Sequence, residues 1–216
     1  MMKTEILKIK GDWEEVVNDC RATVKKGPLG KEPSEQFKRK ILISEHSPIR
    51  DIIVKFCWKD IAYWVAMHWK THIWESRVDS QRNDRQSRYD RTKAPQDAPV
   101  DFIGDPNVQN LIDTMRKRLC YQASPETRQY AEALKATIHE IEPEISDVLV
   151  PNCVYRCGCP EMTRCPLAQH GRGLSYWELL GEKTNGTIVT TDIQERYDEY
   201  NKIFWSGVNA SHLNQR

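Results

Sequence analysis

Hydrophobic positions recur along this chain at two spacings, and the places where the spacing changes mark its elements. Residues 4–10 alternate in strand fashion. Asp12 then stands where a helix cap belongs, ahead of an apolar face made by Trp13, Val16, Val17, Cys20 and Val24. Two glycines and two prolines between residues 26 and 33 stop that helix. Phe37, Ile41 and Leu42 predict a short second helix, and the β-branched stretch 49–56 predicts a buried strand. A third helix is expected from Asp60, with Ile61, Trp64, Val65, His68 and Trp69 at helical spacing, ending near residues 70–72.

From residue 73 to 106 the chain turns polar and is punctuated by Pro95, Pro99 and Pro106, which predicts irregular structure with room for one strand. The clearest helix follows over 107–122. Val108, Leu111, Ile112, Met115 and Leu119 form its buried stripe, and Arg118 sits beside them. Ser124 and Pro125 are a cap and a first helical residue for a further helix through Tyr130, Ala131, Leu134, Ile138 and Ile141, which Pro143 ends or restarts. The expected organisation is a single α/β domain over 1–150, a cysteine-rich loop over 151–173 and a C-terminal extension over 174–216. The extension's aromatic residues, among them Tyr197, Tyr200, Phe204 and Trp205, should pack back on the domain or on a neighbouring subunit.

Composition narrows the field. With 216 residues, 39% of them hydrophobic, the chain can build a sizeable core. Its 32 basic and 31 acidic residues leave a net charge of +1, which argues against coating nucleic acid through long-range attraction. Any anion must be held by local groups. No apolar run approaches the roughly 20 residues a membrane span needs, and the first residues lack the apolar stretch of a secretory leader, so the expectation is a cytoplasmic protein without a membrane partner. The seven cysteines include Cys20, Cys57 and Cys120 in helix-like or strand-like segments, and no disulfide framework is expected.

Two groups of residues carry candidate chemistry. Arg82 and Arg85 after Ser80, Arg91 before Ala94-Pro95, and Arg118 would suit a phosphate and pyrimidine grip, because guanidinium is planar, always charged and able to bond bidentately. Asp79, Asp84 and Asp90 are interleaved with them, so a solvated charge patch is the competing reading. The second group is Cys153, Cys157, Cys159 and Cys165, four thiols within thirteen residues, which could close a structural tetrahedral zinc site. They contain no Cys-x-x-Cys knuckle, and a redox pair or a thiol-rich turn fits the spacing equally well.

Several motifs, in order, resemble the flavin-dependent thymidylate synthases. Glu45-His46 falls where that family has Glu-His. Lys70-Thr71-His72, then seven residues, then Ser80-Gln81-Arg82 keep the spacing of its Arg-His-Arg and Ser-x-Arg signatures, with Lys70 and His72 replacing the two arginines. Arg91-x-x-Ala94-Pro95 resembles its Arg-x-x-Leu-Pro. Asn107, Gln109, Asp113 and Arg118 fall at the intervals of its Asn-x-Arg-x-x-x-Asn-x-x-x-x-Arg pattern, and Ala123 and Glu126 continue the match. The likeness covers about residues 43–140, with a shorter stretch between the second and third motifs than the family has. Ser80-Gln81-Arg82-Asn83-Asp84-Arg85 and Arg118-Leu119-Cys120 resemble divergent versions in viral genomes of bacteria, which implies a phage origin.

The resemblance implies an α+β fold with a central, mostly antiparallel sheet packed with helices, assembled as a homotetramer. It implies methylation of dUMP at C5 with FAD as cofactor and methylenetetrahydrofolate and NADPH as co-substrates. Arg118 would polarise the pyrimidine, with Ser80, Gln81, Arg82 and Arg91 holding the rest of the nucleotide. His46, Lys70, His72, Asn107 and Asp113 would line the flavin side. The altered signature leaves two alternatives: another pyrimidine modification such as hydroxymethylation, or a nucleotide-binding or zinc-stabilised protein without catalysis.

Overall fold

The computed structural model describes residues 4–163 and 192–213, with side chains in the last helix as far as Gly207. Four strands form one antiparallel sheet, β1 (Thr4–Lys10), β2 (Ile53–Ala62), β3 (Glu75–Val78) and β4 (Pro99–Asp105), in the order β1-β2-β4-β3. Helices surround it, which makes the fold α+β, as expected. The centre of the sheet is β2, whose Val54, Phe56 and Trp58 are fully buried on alternate positions. Trp58 packs against Trp69, Phe102 and Tyr130 with ring centroids 4.7, 5.5 and 5.1 Å away. Burying each such ring contributes about 1.5–3 kcal/mol. The Phe56 ring lies across Gly104 on β4, where a Cβ would come within 2.6 Å of it, so this crossing requires glycine.

Four helices start at a side-chain cap, two of them, at Asp12 and Ser124, where the sequence reading places one. Asp12 accepts from the Glu15 amide at 2.8 Å and opens α1 (Trp13–Thr23), and Ser34 opens α2 (Glu35–Ile43). Asn107 opens α4 (Val108–Arg118), accepting from the Asn110 amide at 2.9 Å, and Ser124 opens α5 (Pro125–His139). Pro143 restarts the chain as α6 (Pro143–Asp147).

The region 47–106 departs from expectation in three places. Residues 47–51 form a 3₁₀ turn that buries Ile49, and the strand begins only at Ile53. At its far end the strand continues through Asp60, where the third helix was expected to begin. A bulge between Trp58 and Ile61 places Asp60 at φ +53°, its amide donating to Asp101 Oδ1 at 3.2 Å, and Ile61 still pairs with Val100. Helix α3 therefore runs Tyr63–Lys70. Ile61 shares the helix's apolar period only because the end of β2 and the inner face of α3 meet the same core. The polar stretch beyond holds two strands, since Pro99 is tolerated as the first residue of β4.

After α7 (Asn152–Tyr155), the described part of the C-terminal tail is one helix, α8 (Ile193–Leu213), and it packs back on the domain. Tyr197, Tyr200 and Phe204 enter the core. Arg196 donates to the Val154 and Tyr155 carbonyls at 2.8 and 2.9 Å, and Asn201 donates to the Asp147 carbonyl at 2.9 Å, so α8 satisfies the open ends of α6 and α7. Beneath it the fully buried Lys135 amine donates to Ser146 O (2.6 Å) and Asn201 Oδ1 (2.8 Å). The rings of Tyr200, Phe204 and Trp205 lie 5.2–5.6 Å from that nitrogen.

Candidate functional site

The expected site residues lie in three places. Arg118 closes α4 and reaches the turn after α3. Its Nε donates to His72 Nε2 at 2.8 Å and its Nη2 to the His68 carbonyl at 2.7 Å. The turn itself is pinned by Asn110, one helix start away, whose Nδ2 donates to Ile73 O at 2.6 Å. His72 lies beside the stacked pair Trp69 and Trp74, with centroids 6.2 and 5.6 Å away, and Arg118 lies 6.0 Å from the Trp69 ring. An imidazole that accepts at Nε2 is neutral with its proton on Nδ1. Burial, followed by the charges of Arg118 and Lys117, pushes the His72 pKa down to about 4, which keeps it so at neutral pH. Burial also lowers the Arg118 pKa, and no carboxylate pairs with it among the described residues. Lys70, exposed on the same turn, makes only a long 3.4 Å contact to Ser76 O.

The second place is the loop between β3 and β4. Arg82 pairs with Asp84 at 2.9 and 2.5 Å, both side chains three-fifths exposed, and Ser80 Oγ receives the Arg82 amide at a long 3.4 Å. The Gln81 side chain donates back to Asp79 O at 2.8 Å. Arg88 is the anchor that sequence reading missed, gathering Asp60, Asp79 and Asp101 around one guanidinium. Asp79, Ser80, Arg85, Arg88 and Tyr89 line a cavity of about 310 Å³ beside this anchor. Arg91 leaves the loop to lie 4.3 Å over the ring of Tyr63, the first residue of α3, with its Nη1 buried and unpaired. Arg91 and Arg118 thus stand at opposite ends of α3, whose eight residues span about 12 Å.

The third place is the other face of α4. Arg116, 8% exposed, bonds both Glu45 oxygens and Asp113 Oδ1 (3.0 Å), and stacks 3.5 Å from the Tyr155 ring. Gln109 donates to the same Glu45 carboxylate at 2.6 Å. Glu45 reaches them from a left-handed backbone conformation, φ +51°. Burial works against the Arg116 charge, but the Glu45 bond and charge outweigh it and raise the pKa. Sequence reading passed over Arg116. Its spacing three residues after Asp113 was the available sign.

These positions test the fit to a flavin. Lys70 and His72 adjoin Arg118 and offer a cation and a ring to an anionic cofactor. Asn107 caps its own helix, Asp113 is engaged by Arg116, and exposed His46 follows Glu45 on the Arg116 side. One chain does not gather all five round a single group, so the fit is confined to Lys70 and His72.

Of the four thiols, Cys153 is buried on α7, and Cys157 and Cys159 are half-buried in the turn that follows it; Cys165 lies outside the described residues. Among the described residues no group of three His, Cys, Asp or Glu side chains is placed to hold a metal ion. No helix among them is long and apolar enough to cross a membrane.

No protein-family model matches this chain, and no curated protein does. Among solved structures it is similar to the crystal structure of a UMP/dUMP methylase PolB from Streptomyces cacaoi bound with 5-Br dUMP. The TM-score is 0.56 at 12% identity, covering 68% of this chain and 94% of that one. At that identity the likeness is one of fold.

Proposed function

We propose that this chain is an enzyme that binds a pyrimidine nucleoside monophosphate beside α3 and transfers a one-carbon unit to C5 of its ring, with dUMP as the substrate. The observation that carries this is Arg118, a half-buried guanidinium tied only to neutral acceptors. Such a cation keeps its full charge for an oxygen that becomes negative. When a pyrimidine C5 acts as nucleophile, charge grows on a ring carbonyl, and a fixed guanidinium stabilises that state more than the ground state. Arg91, at the other end of α3 with an unpaired donor, is suited to the phosphate. The likeness in fold to a UMP/dUMP methylase supports the substrate class.

The reading includes FAD, with NADPH and methylenetetrahydrofolate as co-substrates, and a homotetramer. Bound reduced flavin would supply the electrons for the one-carbon transfer, and Lys70 and His72 are the residues that would contact it. Calorimetric titration with dUMP tests the substrate. An absorption spectrum with added FAD tests the cofactor, and the product mass separates methylation from hydroxymethylation. A wild-type chain that takes up no dUMP at millimolar concentration sinks the reading.

A further inference from the structure

A guanidinium needs a partner to fix its plane, and the kind of partner decides what charge remains for a ligand. On α4 the fold offers both kinds. Arg116 is fixed by two carboxylates, which cancel its charge. Arg118 is fixed along one edge, Nε to the His72 ring and Nη2 to the His68 carbonyl, and neither acceptor is charged. That edge occupied, the remaining donors are the two on Nη1 and the outer one on Nη2, a fork at the end of the side chain that can meet an oxygen from two sides.

We infer that His72 is a positioning residue for Arg118: a neutral imidazole that locks the guanidinium with its end fork turned to the nucleotide, without cancelling its charge. This rests on the nucleotide reading above and deepens it. The surroundings of His72 maintain the arrangement. The stacked rings of Trp69 and Trp74 pack beside the imidazole, and the charged neighbours acting on it, Arg118 and Lys117, both favour the neutral form. A carboxylate at this position would hold Arg118 as firmly. It would also convert it into a second Arg116.

The difference between holding and holding without neutralising can be measured in three variants of the full chain, His72→Gln, His72→Glu and His72→Ala, by calorimetric titration with dUMP and by thermal melting. Glutamine keeps a neutral acceptor, and dUMP affinity within about threefold of wild type is expected. Alanine frees the guanidinium and should weaken binding roughly tenfold or more. Glutamate should melt no lower than the glutamine variant, yet bind dUMP at least as weakly as the alanine variant, since it cancels the charge the ligand needs. A purely structural histidine would make glutamate and glutamine equivalent in binding, and that result overturns the inference, as does an alanine variant with wild-type affinity. Absence of dUMP binding by the wild-type chain would instead overturn the nucleotide reading itself and the inference with it.

Discussion

Two arginines two residues apart on α4 show how one helix serves two purposes. At about 100° per residue they point to opposite faces. Arg116 faces the Glu45 side, where carboxylates, a glutamine and the Tyr155 ring enclose it at 8% exposure. Arg118 faces the turn after α3, half-buried, and bonds only neutral acceptors. The first arrangement is nearly self-sufficient: the charge, both terminal nitrogens and the ring face have partners inside the chain, and only the buried Nε lacks one. The second leaves charge and donors over. A neutralised cation joins parts of the fold, here α4 to the 45–46 corner and to α7, whereas a cation without a counter-charge is useful only if something anionic arrives.

The comparison predicts opposite phenotypes. Arg116→Ala leaves the partly buried Glu45 carboxylate, one-fifth exposed, without its cation; breaking a fully buried pair from one side costs about 3–5 kcal/mol, which sets the upper end of the loss that urea unfolding would register directly. If the variant unfolds at the wild-type midpoint, the pair is not a structural clamp. Arg118→Ala is expected to do the reverse. Stability should fall by less than about 1 kcal/mol, while dUMP binding weakens by about 2 kcal/mol, near thirtyfold, the scale of a charge-assisted hydrogen bond. A variant that melts early and binds normally would exchange the roles of the two residues.

The sequence made Arg118 visible and Arg116 not, and the reason is physical. Arg118 belongs to a spaced motif, whereas Arg116 depends on Glu45, 71 residues away and brought in by a left-handed backbone position that no periodicity announces. The caps at Asp12 and Ser124 were legible because they are local, each acting within three residues, as Ser34 and Asn107 also do. The bulge at Asp60 was not, since it is set by Asp101 and Val100 across the sheet, and neither were the two strands separated by the polar loop. Within the site, spacing supplied Arg118 and His72 but not their bond. The resemblance places Asp113 on the flavin side, and its carboxylate lies 3.0 Å from Arg116, a contact that the spacing did not announce.

Lys135 carries the comparison to its closed limit. Like Arg118 it donates to neutral acceptors, but it is fully buried under α8, and nothing from solvent can complete it. Burial pushes its pKa down to about 7, with the Asp147 charge opposing. The folded value lies below the ordinary one near 10.4, so between those limits the unfolded chain binds the extra proton and stability rises with pH. As pH falls through 7 that advantage is lost. The slope approaches about 1.4 kcal/mol per pH unit within the window, and Lys135→Met should remove it. Urea midpoints at pH 7, 8 and 9 decide the matter, because parallel profiles for variant and wild type would mean that the amine stays charged under the three rings.

Arg82 should give the smallest effect on stability and the sharpest test of the loop. Its pair with Asp84 is three-fifths exposed on both sides, and such pairs contribute between 0 and about 1 kcal/mol. Arg82→Ala is therefore expected to move the melting temperature hardly at all, whichever role the residue has. Binding separates the two roles. If Arg82 grips phosphate, dUMP affinity falls roughly tenfold and the remaining affinity depends less on salt, since one charge-assisted contact has gone. If Arg82 belongs to a solvated patch with Asp79, Asp84 and Asp90, both affinity and salt dependence stay at wild-type values. The nucleotide site then reduces to Arg91, α3 and Arg118, the cations whose guanidinium groups are held by rings, an imidazole and a carbonyl instead of by carboxylates.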